Sequence, residues 1–398
     1  MNSPYVTVPR LRLPVPTGFN AVSLSLLLLG ALPKPSARAE GSLSYNLEDY
    51  SETAGRVGVH TMGALLKQDL PYDVKLSATA INDAIAGATP TGEPAPAGST
   101  QVPLATLHDH RKAWETELSR QFDRVNLSIG YADSREHDYI SKGWSVNTLT
   151  DFNQKNTTVL FGVAGHEDSA ETFYDYPQIY VKRHAYSSII GVTQLLDPRT
   201  TVSLNVTWSR DVGYLSDQYK FVEKTIELVP GSFFPLIFHE NRPSERNSGV
   251  VFASVNRAYP ELKGAVEASY RFYADTYGVQ ANTLELKWLQ KLGPNVILAP
   301  DLRIHEQGAA SFYHYDLNTT NIVPNYVPDP SGPAYSSDYR LSKLIATTYG
   351  LNLSWKPRDW LKLTVDYSRY NMRGRDGQTP QSAYPDANIY SAGAAISW

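Results

Sequence analysis

Asn295 to Gln307, NVILAPDLRIHEQ, is the stretch whose reading decides the fold. Val296, Leu298, Pro300, Leu302 and Ile304 fall on one face, and Ala299, Asp301, Arg303, His305 and Gln307 on the other. A period of two belongs to a strand. Three ionisable groups between oily residues give that strand one greasy flank and one wet flank. The alternation recurs along the chain. Val125, Leu127, Ile129 and Tyr131 oppose Asn126, Ser128, Gly130 and Ala132. Val266, Ala268, Tyr270 and Phe272 oppose Glu267, Ser269, Arg271 and Tyr273. Leu284, Leu286 and Trp288 oppose Thr283, Glu285 and Lys287. Tyr390, Ala392, Ala394, Ile396 and Trp398 line one face of the last segment.

Sixteen such segments can be laid out, with fourteen to eighteen compatible with the pattern. The long connections fall at about 82–110, 168–181, 214–245, 309–338 and 372–385. If the first strand starts on the periplasmic side, all of these lie on the other side, and nearly all remaining joins are short turns. That asymmetry is required of bacterial barrels. Hydrocarbon offers no hydrogen bonds, so a sheet crosses it only when closed. The expected fold is an all-β, closed, antiparallel transmembrane barrel of about sixteen strands, one domain over 40–398. A secreted sandwich or solenoid explains the alternation but not the one-sided loops, and no repeat of 20–50 residues is found.

Residues 1–39 read as an export signal. Arg10 and Arg12 supply positive charge, Ala21 to Leu32 the apolar core, and Ala37-Arg38-Ala39 a cleavage site. No apolar run reaches the ~18 residues of a helical span. Without that leader the chain holds 32 Lys and Arg against 40 Asp and Glu. The acidic balance argues against nucleic acid as partner. There is no Cys, so disulfides, thiol catalysis and a lipid anchor on an N-terminal Cys are excluded. The expected location is the outer membrane of a Gram-negative-type bacterium, with outer-membrane lipid and the barrel assembly machinery as partners. Trp144, Trp208, Trp288, Trp355, Trp360 and Trp398 near strand ends fit interfacial girdles. Terminal Trp398 is the expected assembly signal.

About sixteen strands enclose an aqueous lumen unless loops fill it. Glu267, Arg271, Glu285, Lys287, Asp301, Arg303, His305 and Asp366 lie on wet flanks and form the candidate lumen charge cluster. The bland alternative is a salt-bridged wall. Asp83, Asp217, Arg242, Arg246 and Asp275 are candidate loop anchors: Arg242 and Arg246 would pin the 214–245 loop against Asp83 or Asp217, and Asp275 would pair with Arg271 or a loop arginine. The apolar run Phe233 to Ile237 would fold inward as a constriction or pack on the loop layer.

Asn82 to Pro90 (NDAIAGATP), Asp217 to Lys220 (DQYK), Arg242 to Arg246 (RPSER), Tyr270 to Gly278 (YRFYADTYG) and Pro300 to Arg303 (PDLR), followed by Gln307 and Phe312-Tyr313, carry a resemblance. Together they resemble a bacterial outer-membrane barrel family catalogued as domain of unknown function 3570. His305 and Glu306 depart from its pattern, where an aromatic and a small polar residue are expected. The resemblance implies architecture and location, no settled reaction, and an association with an envelope redox system. No cofactor is expected from these residues.

His108-Asp109-His110 is a loose metal-like cluster with no third ligand in view, so surface polarity is preferred. His239, Ser311, His314 and Asp316 offer pieces of a hydrolase that spacing does not assemble. The expectation is therefore a non-enzyme: a porin-like channel for small solutes. The alternative is a non-conducting barrel that anchors or sheathes partner proteins. A lumen blocked by loop side chains, or an apolar patch at the rim, would favour the second.

Overall fold

The computed structural model describes residues 40–172 and 180–398. The expected leader lies outside them, as does half of the connection placed at 168–181. The strands run β1 Gly41–Glu52, β2 Gly58–Leu70, β3 Val74–Pro90, β4 Leu104–Phe122, β5 Val125–Arg135 and β6 Tyr139–Phe152. Then come β7 Thr157–Glu171, β8 Tyr180–Asp197, β9 Thr200–Gly213, β10 Phe221–Val229, β11 Ser232–His239 and β12 Glu245–Tyr259. The last are β13 Gly264–Asp275, β14 Gln280–Lys291, β15 Val296–Gln307, β16 Leu344–Arg358, β17 Leu361–Gly374 and β18 Asp386–Ser397. All but β10 and β11 form one closed antiparallel barrel of sixteen strands, as the alternation implied. No helix among the described residues is long and apolar enough to cross a membrane.

The ring closes where β1 pairs with β18, Leu43 opposite Ile396 and Leu47 opposite Ala392. Closure removes both edges of the barrel sheet, so no barrel strand is left with a free row of N–H and C=O groups. Register keeps like with like. Leu284 pairs with Tyr270 on one side and Ile304 on the other, all on the outer flank. Glu285 pairs with Ser269 and Arg303, all on the inner flank. A slip of one residue would turn every such row over.

The outer flank is apolar and bare: Leu284 is 53 % exposed, Ile190 58 % and Val365 58 %. A girdle of that size is not left facing water in soluble proteins. Trp144 and Trp208 sit toward one end of their strands, and Trp288, Trp355, Trp360 and Trp398 toward the opposite end. The buried apolar clusters lie elsewhere. Val102, Tyr339, Leu344, Ala383 and Tyr384 form one, Tyr277, Val279, Ala310, Phe312 and Leu341 another, and Val222, Leu317 and Tyr335 a third. These residues come from the long connections and the strand ends beside them, so the packed core of this molecule is at the mouth.

Two features depart most from the sequence reading. The loop expected at 82–110 is confined to 91–103, because β3 continues to Pro90 and β4 begins at Leu104. Both keep period-two pairing through residues whose Ala, Gly, Thr and Pro content suggested irregular chain. Pro90 is tolerated at the last position of its strand, where little ladder remains to break. Of the two expectations for the apolar run Phe233–Ile237, an inward constriction or packing on the loop layer, the second fits its place in the loop body. The run forms β11, paired with β10 in a hairpin of its own.

Candidate functional site

Two long connections build the site: 214–244, which carries the β10–β11 hairpin, and 308–343. They are joined as one body. Asn241 and Tyr335 exchange backbone hydrogen bonds of 2.9 and 2.8 Å. The Leu317 N–H donates to the Glu223 carbonyl at 2.9 Å. The Lys224 ammonium donates to the carbonyls of Leu317 and Thr320, both at 3.0 Å. Beneath the hairpin Val222, Leu317 and Tyr335 are fully buried, and each such side chain contributes roughly 1.5–3 kcal/mol.

A buried ion network crosses between the two connections. Arg242 pairs with Glu240 at 2.7 Å in its own loop and with Asp338 at 2.8 Å in the other. Reciprocally, Arg340 pairs with Asp338 at 2.5 Å in its own loop and with Asp217 at 2.8 Å in the other. Each loop thus supplies an arginine that grips an aspartate of its neighbour. The Ser336 hydroxyl donates to Glu240 at 2.5 Å. Burial pushes the Glu240 carboxyl up, opposed by Arg242. Burial penalises the Asp338 carboxylate too, but Arg340, Lys220 and Arg242 outweigh it and hold the group well below the usual carboxylate range. Burial pushes the Lys220 ammonium down to about 8, helped by the Arg340 charge.

Under this body is a cavity of about 1070 Å³. Its ceiling is Asp217, Gln218, Tyr219, Arg242 and Asp338 to Leu341, and its walls are inner flanks of β1 to β8 with parts of β9, β17 and β18. Glu48, Glu115 and Glu117 face it, with Asp83 paired to Arg111. Arg183 lies against Asp168 at 3.1 Å.

The candidate lumen charges sit on the opposite wall. Glu285 and Arg303 pair at 2.9 Å. Glu267, Lys287 and Asp301 form a cross-strand row in register. His305 shares a 2.8 Å hydrogen bond with Thr283. Arg271 stands opposite Thr283 one row away, and Asp366 lies opposite Asn352 on β16. None of the eight lines the cavity under the ceiling. Of the candidate anchors, Arg246 pairs with Asp275 at 2.5 Å, joining β12 to β13. Arg242 binds neither Asp83 nor Asp217: Asp83 is taken by Arg111 and Asp217 by Arg340. Asp275 pairs across strands rather than with Arg271, because adjacent strands bring Arg246 closer than four residues along one strand. Trp398 exchanges backbone hydrogen bonds with Gly41 at the ring closure.

Lys220, Glu240, Asp338 and Arg340 were missed as anchors. Their loops have no periodicity to expose a buried position, and a charged residue in a loop reads as solvated. His108 and His110 share one flank of β4, rings 5.8 Å apart, while Asp109 points to the other. Among the described residues no group of three His, Asp or Glu side chains is placed to hold a metal. His239 lies on the hairpin against Phe221, ring centroids 4.8 Å apart. Ser311, His314 and Asp316 belong to the other connection, where the Ser311 and His314 N–H groups are bound to the backbones of Tyr277 and Ser336.

A family model described as "Protein of unknown function (DUF3570)" matches residues 21–181 and 177–392. No curated protein sequence matches the chain. Among solved structures, CdiB from Acinetobacter baumannii is similar at 9 % identity and a TM-score of 0.50, covering 90 % of this chain and 60 % of that one. A bacterial polysaccharide outer membrane secretin is similar at 10 % identity and a TM-score of 0.48, covering 92 % and 100 %. OmpT of Vibrio cholerae lacking loop L8 is similar at 9 % identity and 0.43, covering 91 % and 98 %. At such identities likeness speaks to fold alone.

Proposed function

The chain belongs to the DUF3570 family, and from that premise we propose an integral outer-membrane barrel whose outer mouth is closed by its own loops and which anchors a partner protein. The membrane placement is supported by the bare apolar girdle, which only hydrocarbon satisfies. The carrying observation for closure is the buried ion network joining the two long connections above the cavity. Free-standing loops in water do not bury four such charges. The anchoring role is supported by what the closure displays. Leu228, Val229, Phe233, Phe234 and Ile237 of the hairpin are exposed, as are Val323, Tyr326 and Val327 of the second connection. Such side chains, gathered on the mouth side, suit protein contact better than water.

A small-solute channel is the second reading. It is favoured by the charged inner wall and the cavity beneath the ceiling. Planar-bilayer recording of the purified protein separates the two. The anchoring reading expects no steady current above detergent controls. Regular ohmic steps would favour the channel.

A further inference from the structure

The closure has the form of a lid, and the ring order shows where it hinges and where it is caught. Its stems leave the barrel between β9 and β12 and between β15 and β16. Six strands round the ring from either stem lie β3 and β4 with their connection, 91–103. The body of the lid reaches that far rim through a short set of contacts. The Lys220 ammonium donates to the Pro90 carbonyl. The Phe221 N–H donates to the Thr91 carbonyl at 2.9 Å. The Ser337 hydroxyl donates to the Gly92 carbonyl at 2.8 Å, and the Tyr315 hydroxyl accepts from the Ala95 N–H at 2.9 Å.

We propose that this lid is releasable, hinged on the β9–β16 side and caught on the β3–β4 rim by Lys220, so that the barrel is a gated pore in which the catch holds the cavity shut. The inference rests on the closed-mouth reading above. Two features single out the catch. The first is Lys220 itself: fully buried, it makes no ion pair among the described residues, and its ammonium is spent on a backbone carbonyl of the far rim. A buried cation is costly unless it is paired or hydrogen-bonded, and beside the nearby charge of Asp338 the Lys220 hydrogen bond goes to the far rim. The second is Gly92. Its φ is +98°, and a Cβ there would lie 2.6 Å from the Phe221 carbonyl oxygen and 2.6 Å from the Ser337 hydroxyl. The rim therefore meets the lid backbone to backbone, at a point that admits no side chain. Within the lid the contacts are many and charged, whereas across this seam Lys220 brings the charge and the rest is neutral hydrogen bonding and apolar packing, with Val102 clustered with Tyr339 and Ala105 with Tyr219. The lid would part there first and move as one piece.

The test is planar-bilayer recording of full-length wild type, Lys220→Met, Gly92→Val and a control, Arg199→Ala, which breaks an exposed ion pair with Glu261 at the far end of the barrel. Lys220→Met removes the catch, and Gly92→Val wedges the seam without touching a charge. Loss of a charge-assisted hydrogen bond shifts a two-state equilibrium roughly 10- to 100-fold. Each seam variant is expected to raise the open fraction by that factor, with wild type and control silent. Heat-modifiable migration on gels confirms that a variant is folded, and if one fails to fold the other decides. Folded seam variants as silent as wild type would overturn the catch. Equal currents from the Arg199→Ala control would overturn it as well, by showing general loosening. Steady wild-type current would instead overturn the closed-mouth reading.

Discussion

Arg340→Ala is expected to uncouple the two connections that close the mouth while leaving the barrel intact. The arginine is shared by Asp338 of its own loop and Asp217 of the other. Its removal leaves Asp217, with 7 % side-chain exposure, without its ion-pair partner, and leaves Asp338, with 2 %, to Arg242 alone. Removing one partner of a buried ion pair costs about 3–5 kcal/mol. Amide exchange at Asn241 and Tyr335, which bridge the two loops, should then quicken roughly 100- to 1,000-fold. Exchange in β5 and β6 should not change. Arg340→Lys is expected to restore part of the protection, because a single ammonium cannot grip both carboxylates as a planar fork does. Unchanged exchange at Asn241 and Tyr335 in the alanine variant would show that the network does not hold the loops.

Leu286→Arg is expected to destabilise the barrel in lipid by about 2–4 kcal/mol, the cost of a cation on the lipid flank near the midplane. Leu286 is in the middle of β14 and 48 % exposed, between Ala268 and Leu302. Ser269→Arg, on the inner flank opposite Glu285, should change stability by less than about 0.5 kcal/mol, as at an ordinary wet position. Unfolding by urea in lipid vesicles, followed by tryptophan fluorescence, measures both. Equal costs at the two positions would contradict the assignment of flanks.

The strands were legible because period two is a local signal repeated in every crossing, and parity placed the long loops on one side. Neither inference needs a distant contact. Among the residues named for the lumen, Glu285 and Lys287 alternate with Leu284 and Leu286, so their flank follows from those neighbours. The mouth was not legible in this way. Asp217 and Arg242 drew notice as loop charges, but their partners Arg340 and Asp338 lie about a hundred residues on, in a Pro- and Tyr-rich stretch without pattern. Burial of Lys220 and Glu240 is decided by how two loops stack, which no local periodicity encodes. The extension of β3 through Gly87 was hidden for another reason. That glycine adopts φ +123° inside a paired strand, and a Cβ there would meet the Arg56 carbonyl at 2.1 Å. A residue that reads as a loop signal is here a close approach within the sheet.

Site-directed labelling tests the closed mouth most directly, since the chain has no native Cys. Ala164→Cys places a thiol on the cavity wall under the ceiling, and Gln378→Cys places one on the exposed β17–β18 connection. Intact cells would be treated with a membrane-impermeant maleimide too bulky for a water-sized gap. The account predicts rapid labelling at Gln378→Cys and protection at Ala164→Cys. Labelling of both at the same rate would mean that the mouth stands open.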